Sequence, residues 1–200
     1  MSQSEKFEVT DRRVAYQGYF RVSICQFRHT LFAGGWSPPV KREVFERGPV
    51  VAVLHYDPRR DEVSLIRQVR AGALAADRHP WIWEVVAGEI EAGEAAEGVA
   101  RREAVEEAGI AIDSLMHMHT YLVSPGGCSE VCSSYLGRAD LAGVGGVHGL
   151  AAEGEDIMVR TLPLAEARAM LERGEIGSSL AIVALQWLAL HRERVRTEWR

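Results

Sequence analysis

Apolar residues along most of this chain occur in short runs, or alternate with polar residues, as they do in β-strands. Turn-forming segments such as DPRRD (57–61) separate these stretches. The predicted strands are VVAVLHY (50–56), EVSLIRQVR (62–70), WIWEVVAG (81–88), LMHMHTYLVS (115–124), VCSSYLGRA (131–139) and IMVRTL (157–162). Residues 16–33 mix aromatic and β-branched side chains with polar ones, which predicts a further hairpin or meander.

Three other segments have the composition of helices. The first consists of helix formers bracketed by Gly93 and Gly109, the second covers about 164–173, and the third begins near Ser178 and continues past Leu190. The order of strands, helix, strands and helices predicts a mixed α/β or α+β sandwich with a mixed sheet. Residues 1–45 form a candidate N-terminal antiparallel β subdomain, and residues 46–200 form the main domain.

The composition is that of a globular protein, with 47% apolar and 26% charged residues. A net charge of −5 with scattered arginines argues against a nucleic-acid partner, which needs a concentrated basic face. The start of the chain lacks the apolar run of a signal peptide, and the apolar stretch 180–190 is too short to cross a bilayer. Its three cysteines do not suggest a disulfide framework, so we expect a cytoplasmic protein with no membrane partner.

The segment GEIEAGEAAEGVARREAVEEAGI (88–110) concentrates acidic residues on one predicted helix. At about 100° per residue, Glu106 and Glu107 lie within about 60° on either side of Glu103. Like charges at these spacings repel one another by a few tenths of a kcal/mol per pair. Solvated acidic helix faces are common, so the three glutamates alone do not identify a site.

The spacing of the segment is more informative than its charge. Gly88 is followed after five residues by Glu94, and after seven more by Arg102-Glu103, Glu106-Glu107 and Gly109-Ile110. This pattern resembles the signature of the Nudix hydrolase family, G-x5-E-x7-R-E-U-x-E-E-x-G-U, in which U is a bulky aliphatic residue. Only Ala104 departs from it, in an aliphatic position that bears on packing.

The resemblance implies hydrolysis of nucleoside diphosphates linked to another group, with Mg²⁺ as cofactor and Mn²⁺ as a substitute. Divalent cations neutralise the clustered charge of a pyrophosphate, and carboxylates are the ligands that Mg²⁺ prefers. The implied metal ligands are Glu103, Glu107 and the backbone carbonyl of Ala87. Glu106 lies beside them, Arg102 is expected to orient the carboxylates, and Glu94 is expected to have a structural role.

Beyond the signature, YFRV, REVFERG, LIRQVR, SPGGCSE and HGLAAEGEDI resemble the subgroup of bacterial ADP-ribose pyrophosphatases. That resemblance implies Glu153 as the general base, Glu155 as a further metal ligand and a homodimer that exchanges its N-terminal strands. The implied substrate-binding residues are Tyr19, Phe20, Arg42, Glu43, Arg47, Arg70, Glu89, Ser124, Pro125, Gly126 and Glu130.

Two alternatives to ADP-ribose hydrolysis, with AMP and ribose 5-phosphate as products, stay open at this point. The substrate could be another nucleoside diphosphate derivative, such as a nucleotide sugar or a dinucleotide. The chain could instead be a nucleotide-binding regulator without catalysis, although the complete Arg102-Glu103 and Glu106-Glu107 set disfavours that hypothesis.

Overall fold

A computed structural model of the chain describes residues 5–199, apart from the side chain of Glu153. The chain divides into two compact units. Unit 1 combines Met1–Gly48 with Leu122–Glu130, and unit 2 combines Pro49–Tyr121 with Val131–Arg200.

Unit 1 contains a three-stranded antiparallel sheet. Its strands are β1 (Phe7–Gln17), β2 (Arg21–His29) and β3 (Val40–Glu46), in the order β1-β2-β3. The hairpin or meander predicted over residues 16–33 is a meander that extends beyond this range, because β2 pairs with β1 on one side and with β3 on the other. Every residue of β1 is exposed, so it carries no buried apolar face that a sequence pattern could reveal.

Glu46 joins the strands of unit 1 through buried charge. Its carboxylate pairs with Arg12 at 2.6 Å and with Arg21 at 2.5 Å, and its side chain is only 7% exposed. The Ser23 hydroxyl and the two guanidinium groups lower the pKa of Glu46 to about 2. These pairs connect all three strands and so help to stabilise a small sheet that has few buried apolar residues.

Unit 2 contains a mixed eight-stranded sheet. Its strands are β4 (Val50–Asp57), β5 (Glu62–Val69), β6 (Trp81–Glu84), β7 (Val86–Glu89), β8 (Ser114–Leu122), β9 (Val131–Arg138), β10 (Gly145–His148) and β11 (Ile157–Pro163). The main order is β10-β11-β5-β4-β9-β8, and only β4 and β9 run parallel among the recorded pairs. The helices are α1 (Ala71–Ala75), α2 (Ala96–Ala108), α3 (Leu164–Glu172) and α4 (Ser179–Glu198).

The segment predicted as one strand at 81–88 is two strands. β4 and β5 pair at residues 55–57 and 62–64 and then separate. β6 pairs with β5, and β7 pairs with β4, so the chain crosses from one strand to the other at Val85. Val85 is buried, with 1% of its surface exposed. No turn-forming residue marks this crossing, and apolar residues lie on both sides of it.

The two faces of this sheet pack against different helices. Val51, Val53 and Ile66 join Val99 and Ala100 of α2 in one core cluster. Because side chains alternate along a strand, Ala52, Leu54 and Leu65 point to the other face. There, α3 and α4 contact β4, β5 and β9. The predicted α+β sandwich with a mixed sheet, preceded by an antiparallel N-terminal sheet, is confirmed.

His55 is a polar exception in the core of unit 2. It is fully buried on β4, and neither ring nitrogen has a hydrogen-bond partner among the described residues. Burial lowers the pKa of His55 to about 3. The ring is therefore neutral at physiological pH.

The described helices include none that is both long and apolar enough to cross a membrane. The three cysteines form no disulfide bond among the described residues: Cys25 and Cys128 are half-buried, and Cys132 is buried.

Candidate active site

Helix α2 carries the acidic residues of the signature and begins two residues after Glu94. Alanines favour the helix, and Gly109 ends it with a positive φ of 64°. Ala100, Ala104 and Ala108 are buried on its inner face. Ala104 is fully buried, so its small side chain at the aliphatic position lets the helix pack closely.

Arg102 is the centre of an ion-pair network on α2. Its guanidinium lies 2.8 Å from Oε1 of Glu103 and donates a hydrogen bond of 3.0 Å to Oε2 of Glu106. Glu94 lies further away, at 3.9 Å. Glu94 instead accepts a 2.9 Å hydrogen bond from the Glu91 N–H, which closes the turn before the helix. This geometry agrees with the structural role predicted for Glu94.

Glu107 is the most buried carboxyl group of the site, with 4% of its surface exposed. Its Oε2 accepts a 3.1 Å hydrogen bond from the Ala87 N–H. Burial raises the pKa of Glu107 to about 8, and the carboxylates of Glu103 and Glu155 add to the rise. The Ala87 N–H and Arg70 oppose it without cancelling it. A nearby cation favours the ionised form of a carboxyl group, so a bound cation would lower this pKa and release the proton.

Glu103 lies directly against the backbone of β7. A methyl group on Gly88 would approach Oε1 of Glu103 to 2.1 Å. The first glycine of the signature therefore leaves space for this carboxylate. Burial raises the pKa of Glu103 as well, and the charges of Glu106 and Glu155 contribute to the rise, against Arg102.

The loop 149–155 returns to the end of α2. The Gly149 N–H donates a 3.3 Å hydrogen bond to the Glu106 carbonyl. The His148 ring covers Gly109, where a methyl group would lie 2.7 Å from the ring. Oε2 of Glu155 accepts a 3.0 Å hydrogen bond from the Leu150 N–H. Glu155 is thus held near the α2 carboxylates, while the side chain of Glu153 lies outside the described part.

Among the described residues, no group of three potential ligands has the spacing to hold a metal ion. Glu103, Glu106, Glu107 and Glu155 each contact an N–H or guanidinium donor. The donor set nevertheless fits a hard divalent cation. It consists of carboxylate oxygens, and two of the carboxyl groups have raised pKa values that a cation would lower.

Arg70 and Glu89 lie at strand ends in unit 2. Arg70 follows β5, and its Nε donates a 2.6 Å hydrogen bond to Glu84. Its charge acts on the pKa of Glu107, which places it near the carboxylates. Glu89 ends β7 and is exposed. Glu84 was not predicted, although its position opposite Ile66 on neighbouring strands places it on the face covered by α2.

A second group of predicted residues lies in unit 1. The Phe20 ring contacts those of Tyr19 and Phe45 at 4.8 and 4.9 Å, and the Arg47 guanidinium lies 4.8 Å from the Phe20 ring centre. Arg47 also pairs with Glu130 at 3.2 Å. Phe45 was not predicted, although alternation along β3 puts it on the same face as Glu43.

The loop with Ser124, Pro125 and Gly126 belongs to the same group. Its turn is closed by the Cys128 N–H, which donates to the Ser124 carbonyl at 2.9 Å. The Phe45 N–H donates to the Gly127 carbonyl, and the Ser129 N–H donates to the Phe45 carbonyl. The loop is therefore attached to β3 through its backbone.

The remaining predicted residues of unit 1 are Tyr19, Arg42 and Glu43. Tyr19 is 86% exposed and lies in the turn between β1 and β2. Arg42 and Glu43 are consecutive residues on β3, so they point to opposite faces of the three-stranded sheet. Of these two residues, Glu43 is the one that lies on the same face as Phe45.

A carboxylate-bearing helix over a mixed sheet, with an arginine among its acids and a glycine beneath one of them, defines a Nudix fold. The chain belongs to the Nudix family, since the NUDIX domain model matches residues 46–181. ADP-ribose pyrophosphatase of Escherichia coli (strain K12) is 44% identical over 192 residues, which cover 96% of this chain and 92% of the relative. The enzyme of that name from Haemophilus influenzae is 40% identical, with coverages of 98% and 92%.

More distant relatives bear a different name. GDP-mannose pyrophosphatase of Enterobacter sp. (strain 638) is 32% identical over 154 residues, which cover 75% of this chain and 78% of the relative. Among solved structures, an ADP compounds hydrolase has a TM-score of 0.73 at 18% identity, over 99% of this chain and 98% of the other. At that identity the likeness concerns the fold.

Proposed function

We propose that this chain hydrolyses ADP-ribose at its pyrophosphate bond, with water as co-reactant and AMP and ribose 5-phosphate as products. The observation that carries the proposal is the buried group of carboxyls around Ala87 and Gly88, in which burial raises the pKa of Glu107 to about 8. The names of relatives that are 40% and 44% identical over nearly the whole chain support the choice of substrate.

Glu103, Glu107, Glu155 and the carbonyl of Ala87 are the proposed ligands of Mg²⁺, for which Mn²⁺ can substitute. When bound, the cation supplies charge neutralisation and acidifies water. Glu107 would hold the cation in its ionised form, with its proton released to solvent. Glu155 would have to give up its hydrogen bond with the Leu150 N–H to serve as a ligand. Arg102 keeps Glu103 and Glu106 oriented through its two close contacts.

Glu153 is the proposed general base. Gly154 next to it has a positive φ of 73°, and Gly149 at the other end of the loop has one of 98°. A carboxylate on such a loop can come within hydrogen-bond reach of the attacking water. The Glu153→Gln variant should lose most of its activity. The pH dependence of its rate should no longer show the ionisation of the general base.

The substrate-binding residues act through three kinds of contact. Tyr19 and Phe20 offer ring faces to adenine, and Arg42, Arg47 and Arg70 offer guanidinium groups to phosphate. Glu43, Glu89 and Glu130 can accept hydrogen bonds from ribose hydroxyls, and the turn at Ser124, Pro125 and Gly126 contributes backbone groups. The contacts of Phe20 with Arg47, and of Arg47 with Glu130, support a common role for these three residues.

The substrate is tested by product chromatography with ADP-ribose, a nucleotide sugar and a dinucleotide, each with Mg²⁺ and with EDTA. We expect the highest kcat/KM for ADP-ribose and no turnover in EDTA. Comparable kcat/KM values for several substrates would reject ADP-ribose as the specific one. Hydrolysis of a guanosine diphosphate sugar is the specific alternative, because more distant relatives are named for it. Binding without any hydrolysis would indicate the regulator.

A homodimer in which the N-terminal strands of residues 1–45 are exchanged is the proposed assembly, and the cytoplasm is the proposed location. The exposed side chains of β1 support the assembly. Phe7 is 77% exposed and Tyr16 is 63% exposed, which is unusual for aromatic residues on a sheet. Arg42 and Glu43 point to opposite faces, so they can serve different subunits.

A further inference from the structure

A large cleft in unit 2 is lined mostly by residues that the proposed reaction does not use, with Arg70 as the exception. Its volume is about 940 Å³, within the range of small-molecule sites. Arg67 on β5, Trp81 and Trp83 on β6, and Arg78 and His79 before β6 form one side. The connection between α3 and α4 forms the other side, through Gly174, Glu175, Gly177 and Ser178.

Arg67 and Trp83 lie on the face of the sheet opposite the carboxylates. Ile66 joins the core cluster with Val99 and Ala100 of α2, so Arg67, the next residue, points away from α2. Trp83 pairs with Arg67 in the strand register and shares its face. The α3–α4 connection lies along the same face, which is the one packed by α3 and α4.

Two arginines of the cleft, Arg67 and Arg78, lack carboxylate partners among the described residues. Arg70 on its border pairs with Glu84 at 2.6 Å, and Glu175 pairs with Arg173 at 2.5 Å. Arg67 and Arg78 form no ion pair with any residue in the described range 5–199. The Nε of Arg67 is also buried without a hydrogen-bond partner. A buried donor of this kind favours an anionic acceptor.

The same cleft presents aromatic surface. Trp81 is 51% exposed, and its ring centre is 5.5 Å from that of His79. The Arg67 guanidinium lies 5.5 Å from the Trp83 ring centre, which orients the cation beside an indole. An exposed indole in the same cleft as two guanidinium groups without ion-pair partners suits a planar base joined to a phosphate.

We propose that this cleft is a second ligand site, which binds a nucleoside monophosphate independently of the divalent cation. The base lies on Trp81, and the phosphate is neutralised by Arg67 and Arg78. This site contains none of the α2 carboxylates, although Arg70 borders it, and binding there does not require hydrolysis. It goes beyond the proposed function and does not depend on it.

The test uses AMP as probe, in EDTA, on the full chain with Phe20→Ala and Glu107→Gln to disable the proposed active site. Calorimetry and tryptophan fluorescence should both show one AMP per chain. Adding Arg67→Gln and Arg78→Gln should weaken AMP binding at least about tenfold, which corresponds to about 1.4 kcal/mol. Trp81→Leu should abolish most of the fluorescence change. The matched control is Arg168→Gln, at an exposed arginine of α3 outside the cleft.

Adenosine and inorganic phosphate separate the two halves of the ligand. Each should bind more weakly than AMP, and only phosphate should respond to the arginine substitutions. In the otherwise unchanged protein, the Arg67→Gln Arg78→Gln pair should leave Mg²⁺-dependent hydrolysis unaltered. The proposal is overturned if AMP does not bind in EDTA, or if it binds equally well with and without Arg67 and Arg78. Neither result bears on the hydrolytic activity, which is measured separately.

Discussion

At the scale of single residues, Glu107 makes the metal-free protein sensitive to pH. The pKa of Glu107 is about 8 in the folded chain, against 4.5 for an ordinary glutamate. Between these values the folded state holds a proton that the unfolded state has lost. Stability therefore falls as pH rises from about 4.5 to 8, by at most about 1.4 kcal/mol per pH unit.

The Glu107→Gln variant lacks this titration. In EDTA at pH 8 it should be more stable than the parent by at least about 1 kcal/mol, with a smaller difference at pH 5. It should also lose hydrolysis and the stabilisation by Mg²⁺. Urea unfolding at both pH values measures the effect, with Glu97→Gln on the same helix as control. If the difference in stability between the parent and this variant were the same at pH 5 and pH 8, the assigned pKa would be contradicted.

His55 produces the opposite dependence. Its pKa is about 3 in the folded state and 6.5 when unfolded, so the unfolded chain takes up a proton first as pH falls. Stability is lost from about pH 6.5 downward. His55→Leu should gain about 1–2 kcal/mol relative to the parent between pH 7 and pH 5. Chemical denaturation at the two pH values tests this. The exposed His119→Gln should show no such gain.

Gly88 provides a test of the close approach of Glu103. Gly88→Ala places a methyl group 2.1 Å from Oε1 of Glu103, so the carboxylate has to move. We expect kcat to fall about 100-fold, as misplacement by an ångström does at other active sites. Gly98→Ala is the control, because a methyl group there has no heavy atom within 4 Å. Circular dichroism shows whether both variants fold. Normal turnover in Gly88→Ala would exclude Glu103 as a ligand.

At the scale of elements, the loop 149–155 depends on Gly149. This residue has a φ of 98°, and a methyl group on it would lie 2.8 Å from Cβ of Glu155. Gly143 has a φ of 73° but no heavy atom within 4 Å of such a methyl group. Alanine at either position should cost about 1–2 kcal/mol of stability. Only Gly149→Ala should also reduce kcat/KM and weaken Mg²⁺ binding. Equal kinetic effects of Gly149→Ala and Gly143→Ala would show that the close packing of Gly149 against Glu155 does not position Glu155.

The predictability of these elements from sequence varied with their physical origin. Helix α2 and the grouping of Glu103 with Glu107 follow from residue spacing, because the helix fixes their relative directions. β1 was missed because its exposed residues follow no burial pattern. The crossing at Val85 was missed because no turn-forming residue separates the two flanking strands. The hydrogen bond of Glu155 with Leu150 depends on a loop conformation that no periodicity encodes.

At the scale of the whole molecule, the proposed exchange of N-terminal strands predicts complementation between inactive variants. One variant carries Phe20→Ala with Arg42→Ala, and the other carries Glu107→Gln. If these residues act on the partner's substrate, each mixed dimer contains one intact site. Random reassociation should then restore about a quarter of the parental activity. Sedimentation at the assay concentration verifies the dimer.

The complementation experiment has a clear negative outcome. If each chain builds its own site, every site in a mixed dimer carries a defect and no activity returns. Mixing two batches of Glu107→Gln is the control for residual turnover. A monomer at micromolar concentration would remove the exchange altogether.

The crossing at Val85 has a consequence for the evolution of this chain. Residues 81–84 pair with β5 and form a wall of the cleft, whereas residues 86–89 pair with β4 and place Ala87 and Gly88 beneath helix α2. A single buried residue separates the two registers. Mutations in the first half can therefore accumulate under one selective pressure while the second half is conserved under another. Ligand preference and hydrolytic chemistry can diverge at different rates within one nine-residue segment.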